Sequence, residues 1–414
     1  MKNSSTSANK SWLKYSALVF LVVSLLLIYL SPYWSFEKST RSASMTRVTL
    51  FLSSLLLLIY HQFNKKRFDQ WRVNFAPVNV TLIFLFVYLF GNALFLSTDL
   101  QPVRRLAFIV LLCAPFAFLN LNERIIRSFI ALLAVVIAGF ALYSLVNHYL
   151  KGSLPTGYRK GLLYSSGTDG IGSFMNTIVA GMHYAVGFTV LTYLFFTESK
   201  RLLLMLWSVL LTFVTLYIAL TFARSAWVAC LVSALVIYTL TFNKKQIRFY
   251  LTFVLAFCVV SYFFINFLGY EVGQRGLTHR DEIWRIVLTR ISEHWIFGHG
   301  LSVPFEPIPT KGGKVFVHNS HNVYLEVFYQ VGIVGLLLFL SSLFTSIYML
   351  FKAYRYKVYG QLSILFLSML TSVSVVMLTE LNSWIHTPNL LWMWLWVPLA
   401  ISLAFEKKLK GFIC

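Results

Sequence analysis

Long apolar segments separated by short polar connections run through the whole chain. A helix needs about 20 apolar residues to cross the hydrocarbon core of a membrane. Segments of that kind lie at roughly 12–32, 46–61, 80–97, 104–121, 126–150, 175–196, 202–220, 225–242, 249–268, 332–351, 361–379 and 389–405. The ten-residue alternation typical of membrane β-barrels does not occur. The pattern predicts an all-α, polytopic membrane protein with about 12 transmembrane helices, in which residues 1–414 form a single integral membrane domain.

Two connections between the predicted spans are longer and more polar than the others. The larger loop covers about 269–331, and the smaller one, about 151–174, is rich in Gly and Ser. Apolar residues at helical spacing predict a helix at the membrane interface within the larger loop: Ile283, Trp284, Val287, Leu288, Ile291 and Trp295. Thr278 and Asp281 have the spacing of a capping box, so we expect that helix to begin there.

The distribution of Lys and Arg predicts the orientation of the spans, because cytoplasmic loops of membrane proteins carry an excess of both. With both termini in the cytoplasm, the inner side holds 20 basic and 4 acidic residues, and the outer side holds 15 basic and 10 acidic residues. The rule accounts for the inner charges and predicts few outer ones. Six of the outer basic residues fall in the larger loop. We therefore expect the functional residues on the outer face.

The composition narrows the class of protein. Hydrophobic residues make up 58% of the 414 residues and charged residues 12%, whereas soluble domains are about a quarter charged. These values exclude an ordinary soluble enzyme and a disordered basic tail. The net charge of +21 permits binding of anionic lipids or of an anionic substrate. Nucleic acid is not an expected partner, because no polar basic domain is present to face it.

Two arginines are candidates for holding an anionic group. Arg280 stands at the start of the predicted interfacial helix, where free backbone N–H groups favour an anion, and its guanidinium matches the geometry of phosphate. Its alternative role is a pair with Glu282 or another loop carboxylate. Arg224 stands between two apolar spans at the outer end, where an ionisable residue so near the hydrocarbon indicates a function. The alternative for Arg224 is a side chain that snorkels to the surface.

Histidines near the end of the larger loop are candidates for proton transfer. His318 and His321 could bind a metal on a helix, but two ligands without a carboxylate cluster nearby make a poor site. A general base fits better, because imidazole titrates near neutral pH. A plain hydrogen-bonding role is the alternative. Motifs for nucleotide binding and for zinc proteolysis are absent from the sequence, and we expect no metal and no cofactor.

Several motifs within about 220–340 resemble the signature region of the O-antigen ligase and polymerase superfamily. They are His279-Arg280-x-x-x-Trp284, Phe297-Gly298-His299-Gly300, Ser320-His321-Asn322-x-Tyr324-Leu325 and Val331-Gly332-Ile333-Val334-Gly335. Arg224-Ser225-Ala226-Trp227 is similar to the helix start that precedes this region in the family. Within the superfamily the chain is most similar to the lipopolysaccharide O-antigen ligases, which share its length and its one main outer loop between the ninth and tenth spans.

The resemblance implies a GT-C-like glycosyltransferase in a bacterial inner membrane, with its active site on the periplasmic face. It would transfer a glycan from undecaprenyl pyrophosphate to a sugar hydroxyl of lipid A-core. The two key arginines of the family correspond to Arg224 and Arg280, which would bind the donor pyrophosphate, and its histidine corresponds to His321. Supporting roles are expected for further residues of the same face: Arg159, Arg285, His318, Asn322 and Glu380.

These roles predict a direct displacement. Two arginines would stabilise the charge of the leaving pyrophosphate without a metal, and His321 would take the proton of the acceptor hydroxyl. Such a reaction inverts the anomeric configuration. An O-antigen polymerase that uses the same donor is the alternative. A polysaccharide or lipid transporter is less favoured, because the sequence shows neither internal symmetry nor polar residues in the middle of its spans.

Overall fold

The computed structural model describes residues 3–34, 40–63, 76–97, 99–119, 122–150, 174, 176–242, 279–310 and 315–413. The helices in these ranges are α1 (Asn3–Trp34), α2 (Thr40–Phe63), α3 (Pro77–Phe95), α4 (Gln101–Phe118), α5 (Glu123–Leu150), α6 (Thr177–Thr197), α7 (Arg201–Thr221), α8 (Arg224–Thr241), α9 (Arg280–Ile291), α10 (Val323–Arg355), α11 (Leu362–Val376) and α12 (Val397–Ile413). A π-helical turn, Trp392–Trp396, precedes α12, and a short hairpin is formed by β1 (Ile308–Thr310) and β2 (Val315–Val317).

The predicted class, an all-α polytopic membrane protein, is confirmed. In the described part of the chain, nine helices, α1–α8 and α10, are long and apolar enough to cross a membrane. Helix α11 is apolar but has 15 residues, and α12 continues the π-helical turn. The predicted span 249–268 lies outside the described residues. So do the start of the larger loop up to residue 278 and the smaller loop 151–174 apart from Phe174.

Hydrogen bonds at one end of the bundle join segments that are distant in sequence. The Glu406 carboxylate in α12 accepts the backbone N–H groups of Val78 and Asn79, at 2.9 and 3.2 Å, where α3 begins. The Lys407 ammonium donates to the carbonyl of Phe118 at the end of α4, at 2.7 Å. All of these residues fall on the predicted inner side. The alternation of spans along the sequence therefore brings the expected helix ends together.

The tenth predicted span begins earlier than its apolar run. Helix α10 starts at Val323 rather than at about 332, because the Asn322 side chain caps it by accepting the N–H groups of Tyr324 and Leu325. The helix is then kinked at Gly332, whose φ of 66° and ψ of −172° are not helical. The first turns of α10 therefore belong to the region predicted as loop, and the loop ends at residue 322.

The kink in α10 is where the larger loop docks on the bundle. The N–H of Ile333 donates to the carbonyl of Trp295 at 2.8 Å, and the N–H of Gly300 donates to the carbonyl of Gln330 at 2.9 Å. A Cβ at Gly332 would overlap the backbone at residues 296–297, and a Cβ at Gly298 would overlap the backbone at residues 330–331. Both glycines have positive φ. The two backbones approach so closely that glycine is required on each side.

Asn92 in α3 fixes the same loop from a second direction. Its side-chain amide donates to the carbonyl of Phe297 at 2.8 Å, and its side-chain oxygen accepts the N–H of Leu301 at 2.7 Å. The Ser97 hydroxyl adds a bond to the carbonyl of Leu301 at 2.8 Å. Because Asn92 is buried, both backbone groups are satisfied away from water. Residues 297–301 of the loop are therefore fixed at the end of the bundle opposite to Glu406.

Helix α9 is shorter than the sequence pattern predicts. It ends at Ile291, and Trp295, which the apolar pattern includes, follows the helix with 55% of its surface exposed. A stripe along α9 packs into a small core with the hairpin and the start of α10: Ile283, Val287, Ile291, Phe305, Ile308 and Tyr329. Trp284 lies at the edge of this core, and its indole N–H donates to the carbonyl of Ser320 at 2.9 Å. The loop thus has a hydrophobic core of its own.

Replacing Gly332 by Ala should destabilise the protein. The backbone conformation at this position is essentially restricted to glycine and costs other residues about 1–3 kcal/mol, and the new methyl group would also overlap the loop backbone. Thermal unfolding in detergent measures the effect as a lower midpoint. The control is Gly139→Ala in α5, where a new Cβ meets nothing within 4 Å and Ala favours the helix. Equal midpoints for the two variants would show that the close approach at the kink contributes nothing to stability.

Candidate functional site

Three of the predicted site residues meet at the end of the bundle that carries the larger loop. A guanidinium N–H of Arg280 donates from Nη2 to Oε2 of Glu380 at 2.6 Å. Nδ1 of His321 lies 3.1 Å from Oε1 of the same carboxylate. Arg280 begins α9, His321 precedes α10, and Glu380 follows α11, so three separate elements supply the cluster. One carboxylate therefore bridges the predicted anion-binding arginine and the predicted base.

The exposure of the three side chains differs in a way that bears on their chemistry. The side chains of Glu380 and Arg280 are 10% and 16% exposed, whereas that of His321 is 34% exposed. If Nδ1 of His321 donates its proton to the carboxylate, Nε2 carries the lone pair and is the nitrogen that can accept a proton. The guanidinium of Arg280 has five N–H donors, so its contact with Glu380 leaves others for an anion. The arrangement can hold an anion and remove a proton at one place.

Left-handed backbone conformations coincide with this cluster. His321 has a φ of 50°, His279 directly before Arg280 has a φ of 61°, and Leu381 directly after Glu380 has a φ of 73°. Such conformations cost non-glycine residues about 1–3 kcal/mol each and persist where the surrounding structure requires them. His279 and His321 lie just before the starts of α9 and α10, and Leu381 lies in the segment that follows α11. Sequence spacing contains no signal for these conformations.

The pair that the sequence suggested for Arg280 is not the one that forms. Glu282 lies 3.7 Å from Nδ1 of His279, one turn away on α9, and Arg280 reaches Glu380 instead. The alternative considered for Arg280, a pair with a carboxylate of the loop, therefore does not form, because the helix start directs Arg280 toward the bundle. The two residues are 100 positions apart in sequence, so a local pattern could not reveal the contact.

Arg224 lies at the same end of the bundle. It is the half-buried first residue of α8, directly after a chain reversal in which Phe222 has a φ of 52°. Helices α8 and α11 pack against each other in opposite directions, and the Ser372 hydroxyl donates to the carbonyl of Ala229 at 3.2 Å. Arg224 lies five residues before Ala229 in α8, and Met377 lies five residues after Ser372 in α11. This antiparallel register therefore places Arg224 level with Met377, where the segment that carries the shared carboxylate begins.

The other predicted residues are less directly involved. Arg285 is on the exposed face of α9, opposite to its buried stripe, and His318 is exposed beyond the hairpin. The Asn322 side chain serves as the cap of α10. Arg159 lies outside the described residues. Their supporting roles stay predictions, and so does metal independence. The described residues contain no group of three His, Cys, Asp or Glu that could hold a metal ion.

Sequence analysis missed Glu326, which fixes the backbone next to Glu380. Glu326 is buried in the first turn of α10, and both of its carboxylate oxygens accept the N–H of Ser383, at 2.9 and 3.1 Å. Gln330 donates to the same carboxylate at 3.4 Å and accepts the indole N–H of Trp384 at 2.9 Å. This network ties the connecting segment, residues 377–391, to α10. A buried acid at the start of an apolar helix was the available signal.

Buried tryptophans hold the other end of the connecting segment. The indole N–H of Trp396 donates to the carbonyl of Trp384 at 2.9 Å, and that of Trp392 donates to the carbonyl of His386 at 3.0 Å. The indole of Trp394 reaches the carbonyl of Met182 in α6 at 3.1 Å. All three come from the π-helical turn, a distortion that is frequent at functional sites. The segment that carries Glu380 is therefore anchored along its length.

Residues 207–340 match the family described as O-antigen ligase. The matched region contains Arg224, Arg280 and His321 and ends before Glu380. An O-antigen ligase from Pseudomonas aeruginosa, strain PAO1, is 28% identical to the chain over 236 residues. That alignment covers 57% of the chain and 56% of the relative, so the match spans little more than half of either protein. The predicted resemblance to O-antigen ligases is confirmed.

Removing the Glu326 carboxylate should loosen the connecting segment. Glu326→Leu leaves the N–H of Ser383 and the side chain of Gln330 without their buried acceptor, at a cost of about 1–3 kcal/mol. We expect peptides covering residues 377–391 to exchange backbone hydrogen for deuterium faster than in the wild type, with Glu326→Gln intermediate because it keeps one acceptor oxygen. The control is Glu306→Gln, where the side chain is 81% exposed. Unchanged exchange in Glu326→Leu would exclude the proposed anchoring.

Proposed function

We propose that the protein is an O-antigen ligase that transfers a glycan from undecaprenyl pyrophosphate to a sugar hydroxyl of lipid A-core, at the periplasmic face of the inner membrane. The similarity to O-antigen ligases supports the class of reaction. The contact of Glu380 with both Arg280 and His321 carries the proposal, because it sets an anion-binding group beside a potential base. A membrane domain with both groups at one end suits a donor and an acceptor that are both lipid-anchored.

The arginines are proposed to hold the donor pyrophosphate. Charge grows on the leaving oxygen as the bond to the anomeric carbon breaks, and fixed positive groups lower the energy of that state. Arg280 has further N–H donors beyond the one that contacts Glu380, and Arg224 lies at the same end of the bundle. Arginine stays protonated throughout the physiological range of pH. The pair could therefore stabilise the leaving group without a metal.

His321 is proposed as the general base. Its Nε2 takes the proton of the acceptor hydroxyl while the hydroxyl oxygen forms the bond to the anomeric carbon, and the bond from that carbon to the pyrophosphate oxygen breaks. The pyrophosphate keeps the electron pair, and the configuration at the anomeric carbon inverts. Glu380 holds the proton on Nδ1 and stabilises the imidazolium that forms, the role that the buried carboxylate plays in a Ser-His-Asp triad.

The sharing of one carboxylate links the two functions. Glu380 uses one oxygen for the arginine and the other for the histidine, so a displacement of either partner alters the position of the other. The contact also offsets part of the charge of Arg280 while the donor is absent. Because the carboxylate itself is held by an anchored segment, the base is oriented before any substrate binds, which lowers the entropic cost of reaching the reactive geometry.

An O-antigen polymerase is the second candidate. It would use the same donor, and the proposed roles of the arginines and the histidine would be the same, since both reactions expel a pyrophosphate and activate a hydroxyl. The difference lies in the acceptor, which for a polymerase is a second lipid-linked glycan. Transport is less favoured, because a bridged base and arginine are expected of a group-transfer site.

Replacing the proposed base should abolish most of the transfer. General base catalysis contributes about 10²–10⁴-fold, so His321→Ala is expected to lower the rate of glycan transfer by that factor. Purified protein, lipid-linked donor and lipid A-core acceptor are assayed for product on a gel. The control is His294→Ala, a histidine exposed on the same loop. Full activity of His321→Ala, with the protein folded and present at the normal level, would remove this histidine from the mechanism.

Deletion of the gene should distinguish a ligase from a polymerase. For a ligase, lipopolysaccharide gels of the deletion strain show lipid A-core without any O-antigen, while long glycan chains accumulate on the lipid carrier. Wild-type protein expressed from a plasmid restores the ladder of O-antigen bands on lipid A-core, and the His321→Ala variant does not. Single repeats attached to lipid A-core in the deletion strain would identify a polymerase instead.

A further inference from the structure

A second concentration of positive charge lies at the predicted outer end of the bundle, away from the site described above. Helices α2 and α4 both run from this end, and the Ser54 hydroxyl donates to the carbonyl of Leu111 at 3.1 Å. Arg47 lies seven residues before Ser54 in α2, and Arg104 lies seven residues before Leu111 in α4. Both are two helical turns nearer to the start of their helix. Because seven residues return to nearly the same helix face, the two arginines lie level on adjacent helices. Arg105 follows Arg104.

The guanidinium of Arg47 is held in place without a protein anion among the described residues. Its central carbon lies 5.5 Å from the centroid of the Phe108 ring in α4, a distance at which a cation interacts with the ring face. Its Nε is buried and has no hydrogen-bond partner within the described ranges. A buried donor without a partner costs free energy. The guanidinium of Arg47 therefore has an N–H donor that no described residue uses.

The connecting segment 377–391 contributes a third element through His386. The carbonyl of His386 accepts the indole N–H of Trp392, which fixes this stretch of backbone. Burial lowers the pKa of His386, and the positive charges of Arg105 and Arg47 lower it further. Both arginines are therefore close enough to act electrostatically on the imidazole. Guanidinium groups from two helices thus lie together, and the connecting segment adds the His386 imidazole beside them.

Few acidic groups offset this cluster in the described part of the chain. The negative charge of Asp99 attracts the Arg105 guanidinium, but the Asp99 carboxylate also caps α4 by accepting the N–H of Gln101 at 2.9 Å. The other side-chain contact of Arg105 is neutral, a bond from Nη2 to Oε1 of Gln101 at 3.2 Å. Several positive charges held together repel one another unless an anion offsets them. The cluster differs in this respect from Arg280, whose charge Glu380 offsets.

We propose that Arg47, Arg104 and Arg105 bind a phosphate carried by the head group of the lipid acceptor. This rests on the proposed function, since it names a further contact for the acceptor. The arginines lie within about two turns of the starts of two apolar helices, and guanidinium groups match phosphate geometry. His386 is six residues from Glu380 on one anchored segment, so the same segment carries a residue of each site.

The test measures lipid binding directly, so that it does not depend on the transfer reaction. Full-length protein with the His321→Ala substitution is placed in discs of phosphatidylcholine and titrated with phosphorylated lipid A, or with the same lipid A after phosphatase treatment. Arg104→Gln/Arg105→Gln should weaken binding of the phosphorylated lipid by about tenfold or more, the loss expected from one charge-assisted hydrogen bond. It should not change binding of the dephosphorylated lipid.

A matched control removes two charges from the other end of the bundle. Lys352→Gln/Arg355→Gln alters the last turn of α10 and should leave both titrations unchanged. Arg47→Gln, in a third protein, should also weaken binding of the phosphorylated lipid, and thermal midpoints establish that each variant is folded. Equal affinity of the Arg104→Gln/Arg105→Gln variant and the parent protein for phosphorylated lipid A would overturn the proposal.

A further arm separates the acceptor from bulk phospholipid. If phosphatidylglycerol in the discs abolishes the difference between the parent protein and the variant, the cluster binds any anionic phospholipid and the proposal is wrong about its ligand. If the difference persists, the phosphate of lipid A is the ligand. Transfer is assayed separately with His321 restored. Phosphate-dependent binding without transfer would refute the proposed ligase function while leaving this site in place.

Discussion

The carboxylate of Glu380 is the group on which the candidate site depends. Its two oxygens contact Arg280 and His321, residues that begin or precede helices in a different part of the sequence. A carboxylate so little exposed requires charged or hydrogen-bonding partners, and here the partners are the proposed anion-binding arginine and the proposed base. The strained backbones at His279, His321 and Leu381 are tolerated because this shared contact and the surrounding packing hold them. Loss of the carboxylate would release both partners at once.

Rigidity at the site comes from polar groups buried within the bundle. Glu326 holds the connecting segment through the N–H of Ser383, and indole N–H groups hold its carbonyls farther along. At the same end of the bundle, Asn92 and the close approach at Gly332 fix the backbone of the larger loop around residues 296–297. Each of these groups would be costly if left without a partner, so the contacts form together. The proposed reaction between two lipid-anchored substrates would benefit from residues that are already placed.

The positive charge of the chain serves more than one purpose. On the predicted inner side, 20 basic residues stand against 4 acidic ones, and the predicted orientation of the spans would account for them. Among the described residues of the predicted outer side, Arg280 contacts Glu380, and Arg47 and Arg104 lie level on adjacent helices. Around Arg280 a carboxylate offsets the charge, which suits the proposed binding and release of a pyrophosphate. Around Arg47 the described residues offer little to offset it, which suits a site for a phosphate that remains attached to a bound lipid.

The sequence alone determined the helical membrane class, the alternation of spans and the candidates Arg224, Arg280 and His321, because apolar length, charge bias and local motifs are properties of neighbouring residues. The sequence pattern placed the start of α10 too late, because Asn322 caps this helix before its apolar run begins. It placed the end of α9 too far along, because Trp295 is exposed and lies beyond that helix. Only the tertiary structure decided that Glu380 is the partner of Arg280, that Glu326 anchors its segment and that Arg47 lies beside Arg104. Those contacts join residues that are from 57 to 100 positions apart in sequence, and no local periodicity encodes which helix ends will meet.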